Sequence, residues 1–380
     1  MKKAFLFSLA TAVALGFAAC NSTDSAETTL SGLKKADFES TVKGKENHLY
    51  VLTNKNGMEV CVTNFGARIV SIMVPNKNGE MQDVVLGFDS IADYVNNEDN
   101  NFGAAIGRYG NRIAQGKITI EGKEYQLPQN NYGHCLHGGP EGYHRQMWDA
   151  NQVDDHTLEM TLQDSAAVAN FPGNVTVKMT YTLTDDNELK IDYSATTDST
   201  TILNLTNHSY FNLGDLSKDV MAQELMISAD SITPIDSTFM TNGTMQAVAG
   251  TPFDFRKSKP IGKDIKADDE QLKNGNGYDH NFVLNTGGDI KKVAARAYCP
   301  ETGIVMEVFT TEPGIQLYVG NFLDGKLKGK KGVAYPFRGT IVMETQHYPN
   351  SPNQKEYPSV IVKPGETYKS ACIYKFSVKK

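Results

Sequence analysis

Four short segments carry polar side chains that are costly to bury, set in strand-like or glycine-rich surroundings. They are Gly107-Arg108-Tyr109-Gly110-Asn111-Arg112-Ile113, Leu136-His137-Gly138-Gly139, Asn204-Leu205-Thr206-Asn207-His208-Ser209-Tyr210 and Ile341-Val342-Met343-Glu344-Thr345-Gln346. If the third is extended, alternation puts Asn204, Thr206, His208 and Tyr210 on one face. Four hydrogen-bonding side chains in a row make a poor core face and a natural wall for a polyhydroxylated ligand. The plainer reading is a solvated face with a structural histidine. Glu344 follows three apolar residues and, taken alone, is equally an edge-strand carboxylate facing water. His137 lies on a glycine-rich turn where a ligand can approach the backbone, although loop histidines are often incidental. Arg112, beside Asn111, offers five fixed donors suited to a hydroxyl array, or is a surface arginine in a turn. Trp148, the one tryptophan, could stack on a sugar but is better placed in a core.

Missing motifs narrow the chemistry. The sequence holds no GxSxG elbow, P-loop or HExxH pair, and its cysteines and histidines lack metal-ligand spacing. Neither a metal nor an organic cofactor is expected. Acid–base chemistry on a hydroxylated ligand remains.

The elements that must position these residues read as strands. Tyr50-Val51-Leu52-Thr53, Asn56-Gly57 and the run 58–63 spell a hairpin whose turn dipeptide tolerates positive φ. A second hairpin joins 117–120 to 123–127 through Glu121-Gly122. Further runs lie at 175–184, 189–196, 293–297, 304–310, 315–319 and 340–345. Helical periodicity is confined to short stretches at 90–94 and 268–273. The pattern predicts an all-β fold, a sandwich rather than alternating strands and helices. With no internal repeat and no second linker, one domain spans 37–380.

The N-terminus stands apart from that domain. Lys2-Lys3 precedes an apolar run to Ala19, the layout of an export signal and too short for a comfortable membrane span. It ends in Phe17-Ala18-Ala19-Cys20, which resembles a lipoprotein cleavage box with Phe where Leu is usual. Residues 1–20 then form the signal, Cys20 becomes the lipidated first residue, and 21–36 form a polar, flexible tether. An ordinary secretory signal is the alternative. The expected location is the periplasm or cell envelope, with the membrane met only through the lipid. The other four cysteines, Cys61, Cys135, Cys299 and Cys372, are widely spaced and read as free and buried.

Composition sets outer limits. With 40% hydrophobic and 21% charged residues and a net charge of −7, the chain reads as globular and lacks the cationic footprint of a nucleic-acid binder. No protein partner is indicated.

Taken in order, the polar segments resemble the aldose 1-epimerase (galactose mutarotase) family. The likeness runs from about Thr63 to about Ile373. It passes through Asn64-Phe65-Gly66-Ala67, Asn111-Arg112-Ile113, Leu136-His137-Gly138-Gly139, Asn204 to Leu213 and Gly277-Tyr278-Asp279-His280-Asn281-Phe282. It continues through Pro313-Gly314-Ile315-Gln316, Gly320-Asn321-Phe322-Leu323-Asp324-Gly325 and Glu344-Thr345-Gln346. The resemblance implies a large twisted antiparallel β-sandwich with few short helices and an open sugar cleft. It implies Glu344 as general base, His208 as general acid, and Asn111, Arg112, His137, Asp279 and Gln316 as substrate contacts. Tyr210 joins them from the polar row. His134-Cys135 and Glu312 depart locally from the family pattern without removing a matched polar residue.

The chemistry so implied suits these residue types. A base takes the C1 hydroxyl proton, an acid protonates the ring oxygen, the C1–O5 bond opens, the aldehyde rotates, and closure on the other face exchanges α and β anomers of a free aldose such as glucose or galactose. A neighbouring carboxylate is expected to raise the pKa of His208 and keep the acid charged. A non-catalytic carbohydrate-binding lipoprotein and a glycoside hydrolase using Glu344 and Asp279 are the alternatives.

Overall fold

The computed structural model describes residues 28–97 and 101–379. The signal and Cys20 lie outside the described residues. Two large antiparallel sheets face each other. One has nine strands, in the order Asp149–Gln152, Thr157–Asp164, Val175–Leu183, Glu188–Thr197, Tyr368–Val378, Ile304–Thr310, Ala295–Tyr298, Glu224–Ile227 and Lys259–Pro260. Its long strands alternate strictly: Val175, Val177, Met179, Tyr181 and Leu183 are buried while Thr176 and Lys178 are exposed. That is the pattern of a sheet with one wet face. The second sheet has six strands: Tyr210–Phe211, Ile341–Gln346, Gly314–Tyr318, Asp279–Leu284, Ala229–Thr233 and Gln246–Ala247. Its central strands are buried almost throughout.

The six-stranded sheet is buried on both faces for two different reasons. Ile341, Met343, Ile315, Leu317 and Phe282 join Val177, Met179, Ile191 and Tyr374 of the other sheet in the main core. Each such side chain contributes roughly 1.5–3 kcal/mol on leaving water. The alternate positions, Glu344, Gln316 and Asp279, point the other way and line a cleft. Register makes this a polar row, since Gln316 pairs with Glu344 and with Asn281 on its two sides. A one-residue slip would put every one of these polar groups into the hydrocarbon core.

The all-β sandwich expected from the strand pattern is the observed fold. Among the described residues the two α-helices are short, Ile91–Asn96 capped by Ser90 and Glu270–Asn274 capped by Asp269. Both hairpins form, but the type I′ signature falls on Glu121-Gly122, where both residues have positive φ (52° and 79°). At Asn56-Gly57 only the glycine does. There the Asn54 side chain accepts from the amides of Asn56 and Met58 and widens the turn.

The chain is also docked earlier than its polar composition suggests. The expected flexible stretch does not extend to residue 36. The Leu30 amide donates to buried Glu59 at 2.8 Å, Ser31 Oγ donates to Ser71 Oγ at 3.1 Å, and Leu33 and Phe38 are buried. A carboxylate that caps backbone amides offsets the ordering cost that the composition alone leaves uncovered. The four remaining cysteines are free and buried, as their spacing suggested. Trp148 belongs to the core and donates to the Tyr143 carbonyl at 3.3 Å.

Candidate active site

The cleft, about 520 Å³, is lined by all eight residues singled out as catalytic or substrate-contacting: His208, Glu344, Asn111, Arg112, His137, Tyr210, Asp279 and Gln316. They come from six separate stretches of chain. Glu344, Gln316 and Asp279 stand on adjacent strands of the six-stranded sheet. His208 ends the strand Thr206–His208, which pairs with Ala104–Ile106. Asn111 and His137 sit on two loops joined by the two-residue ladder of Arg112–Ile113 with Cys135–Leu136.

The loops are held by backbone geometry. Asn111 and His137 both adopt positive φ (65° and 54°). The Asn111 amide donates to His137 Nδ1 at 3.1 Å, and the His137 amide donates to the Asn111 carbonyl at 3.2 Å. Because Nδ1 accepts, the neutral ring carries its proton on Nε2. Burial, with His208 and Arg112 nearby, holds His137 well below the usual imidazole range. His137 is therefore a fixed neutral donor. A β-carbon at Gly138 (φ +80°) would collide with the Gly107 carbonyl, so only glycine lets the turn approach that loop. Arg108 anchors the same loop from behind, donating to Asp164 at 2.6 Å and to the carbonyls of Pro172 and Gly173.

Arg112 is no surface residue. It is 7% exposed, donates through Nε to Asn131 Oδ1 at 3.1 Å, and lies over the Phe239 ring at 4.8 Å. Asp279 accepts from Gln316 Nε2 at 2.7 Å. The expected four-residue wall is only half present. His208 and Tyr210 line the cleft, whereas Asn204 is turned into the scaffold, donating to the Gly110 carbonyl and accepting from the His347 amide. Thr206 is buried away from the cleft. The strand is interrupted at Ser209, so a simple two-residue alternation does not run its length.

His208 Nε2 and Glu344 Oε2 are 3.8 Å apart, and both side chains are almost wholly buried. That gap is too long for a hydrogen bond. Burial dominates the electrostatics of the pair. It pushes Glu344 up from 4.5 to about 8, with Asp279 adding to the rise and Arg112 opposing it. It pushes His208 down from 6.5 to about 4. The expectation that a carboxylate neighbour would raise His208 is thus overturned: for a buried imidazole, loss of hydration outweighs a carboxylate that is itself pushed toward neutrality. Asp279 is also raised by burial, with Arg112 and the Gln316 hydrogen bond pulling it back.

His137, His208 and Glu344 put one ligand-type atom each within 4.8 Å of one another. A tetrahedral zinc with bonds of about 2.0–2.2 Å would need them closer, and the Arg112 guanidinium faces the same cleft. The chemistry of the donor set favours a hydroxylated ligand.

The chain matches the family model described as aldose 1-epimerase over residues 48–375. The chain belongs to the aldose 1-epimerase family. The rat galactose mutarotase is 40% identical over 322 residues, 84% of this chain and 92% of that one. The aldose 1-epimerase of Escherichia coli K12 is 37% identical over 343 residues, 88% of this chain and 96% of that one. The solved aldose epimerase homologue from C. elegans superimposes with a TM-score of 0.82 at 32% identity, over 88% of this chain and all of that one. As an aldose 1-epimerase the chain is an isomerase, and its activity is mutarotation.

Sequence reasoning missed the aromatic part of the aldose 1-epimerase cleft. Phe102 stacks on Tyr210 with centroids 4.0 Å apart, and Tyr318 stacks on Phe322 at 6.1 Å. Phe102, Tyr318 and Phe322 all line the cavity. Tyr318 had a readable signal, because it lies two residues beyond Gln316 and so on the same face of one strand. Phe102 had none, since tertiary stacking alone brings it beside Tyr210.

Proposed function

We propose that Glu344 is the base and His208 the acid in interconverting the α and β anomers of free hexoses such as glucose and galactose. One observation carries the reading. A carboxylate and an imidazole face each other across 3.8 Å in a cleft whose other polar groups suit hydroxyls. The hydroxyl and the ring oxygen that exchange protons are both bonded to C1, so acid and base must reach opposite sides of one carbon. Two groups that are close without being bonded to each other satisfy that demand.

Asn111, Arg112, His137, Tyr210, Asp279 and Gln316 hold the sugar in this reading. His137 gives a fixed N–H, Asp279 accepts, and the Tyr210 ring supports the apolar side of the pyranose. When the ring opens, C1 rotates while these contacts keep the remaining hydroxyls in place, so the aldehyde recloses on its other face. Polarimetry of freshly dissolved α-galactose or α-glucose tests the activity directly. A rate no faster than the uncatalysed one would sink the assignment.

Arg112→Ala is expected to raise KM by about tenfold or more with kcat little changed. It should also move the alkaline limb of kcat/KM above the wild-type value, since the guanidinium is the group that holds Glu344 down. A fall in kcat alone, at unchanged KM, would contradict a positioning role.

We further propose that the chain is exported and anchored through a lipid on Cys20, in the periplasm or cell envelope. The positive-apolar-small pattern before Cys20 supports this. Residues 21–27 would then be the whole span between the anchor and the docked strap at Thr28, a reach of at most about 25 Å. Intact mass of the mature protein should show a diacylated or triacylated N-terminal cysteine, and an unmodified N-terminus would overturn the anchor.

A further inference from the structure

Asn111, Gln316 and Asp279 line the cleft, but what holds their amides and carboxylate in one orientation lies beneath it. Gln346 is two residues beyond Glu344 on the same strand and is completely buried. It is not among the cleft-lining residues. Its Oε1 accepts from Asn111 Nδ2 at 3.5 Å, and its Nε2 donates to Asn281 Oδ1 at 3.1 Å and to Gln316 Oε1 at 3.4 Å. Gln316 Nε2 in turn donates to Asp279 Oδ1 at 2.7 Å. At the other end, the backbone amide of Arg112 donates to Asn111 Oδ1 at 2.9 Å.

The direction of this chain is forced. A backbone N–H can only donate, so the Arg112 amide fixes the near end, and Asp279 Oδ1 receives the Gln316 amide at the far end. With both ends fixed, each of the three amides between them has one orientation that satisfies its two neighbours. Turning any one over would set two donors or two acceptors face to face around the completely buried Gln346.

We propose that Gln346 is a positioning residue for the reaction, the central link of a one-way amide chain from the Arg112 loop to Asp279. It sets sugar affinity without touching the sugar, by presenting the NH2 end of Gln316 to Asp279 and tying the sheet to the loop. This rests on the reading of Asp279, Gln316 and Asn111 as sugar contacts. With Gln346 gone, Gln316 can turn its carbonyl toward Asp279, and the carboxylate loses the donor that keeps it an acceptor for hydroxyls.

The test is a double-mutant cycle on the full chain. Gln346→Leu removes every link. Gln346→Glu keeps the shape but, ionised, has no donor, so it separates hydrogen bonding from packing. Each should raise KM about ten- to hundredfold with kcat within about threefold, and Gln316→Leu should do the same. The combination Gln346→Leu with Gln316→Leu should fall well short of the product of the two single losses, because the link between Gln346 and Gln316 is already cut and only the tie to Asn111 remains to lose. Multiplied losses in the double variant, or an unchanged KM in Gln346→Glu, would overturn the proposal. Dissociation constants for galactose from ligand-observed NMR close the same cycle without turnover. Failure of mutarotation itself is thereby distinguished from failure of the amide chain, and melting temperatures report any variant that does not fold.

Discussion

Glu344→Gln is expected to lower kcat for mutarotation by at least about 100-fold, within the 10²–10⁴-fold that a proton-transfer partner supplies. Gln has nearly the same shape and still fills the site, but it cannot take the C1 hydroxyl proton. The effect should be large because burial makes Glu344 a stronger base than an ordinary carboxylate, raising it from 4.5 to about 8. A base whose pKa lies near the operating pH combines availability with driving force. Folding should be spared, since Gln keeps the shape of a carboxyl that burial already pushes toward neutrality. Polarimetric rates within a fewfold of wild type would refute the role.

The pair also predicts a pH profile. With Glu344 near 8 and His208 near 4, the two groups together hold one proton between those values. A second proton is gained below about 4, and the single proton is lost above about 8. The one-proton states, charged pair or neutral pair, are those before and after ring opening, so only they turn over. The free-enzyme profile of kcat/KM should therefore be a bell with limbs near 4 and 8, flat through neutrality. Ordinary values for the two groups would close the window above about 6.5. In Glu344→Gln the alkaline limb should disappear.

His208→Asn is the second large effect, again expected at two orders of magnitude or more in kcat. Asn can donate a hydrogen bond to the ring oxygen but cannot release a proton to it, so C1–O5 cleavage loses its acid. The imidazole is held edge-on to His137 at 5.4 Å and tilted against Tyr210 at 4.9 Å. Asn fills less of that space, and some rise in KM should accompany the loss. The distinguishing result is the acid limb, which should vanish in His208→Asn while the alkaline limb persists. Initial rates at several pH values measure both, and an unaltered acid limb would remove His208 from the mechanism.

Much of this molecule was legible in the order of its residues. Strand periodicity is a local property, so 304–310 appears as the strand Ile304–Thr310 and 340–345 as Ile341–Gln346. The two short helices likewise begin beside capping residues visible in the sequence, Ser90 and Asp269. Chemical type was legible too: a carboxylate ending an apolar run, an imidazole amid polar residues and an arginine beside an asparagine stand out, although each alone has an ordinary reading. Local reading failed where long-range contacts override propensity. Asn204 looked like part of the cleft wall until its hydrogen bonds to the Gly110 and His347 backbones turned it inward. The polar strap before residue 37 looked free until Glu59 supplied a buried partner for its amides.

By itself the sequence determined the fold class and the family, and it picked out eight polar residues that line the cleft. Only the tertiary structure decided how those groups ionise and what holds them. Protonation depends on how much water the surrounding chain removes and on charges brought from distant strands. No spacing along the chain encodes that Glu344, Asp279 and Arg112 share one cleft. The orientation of Gln346 beneath them is decided in the same way, by partners drawn from three separate stretches of chain.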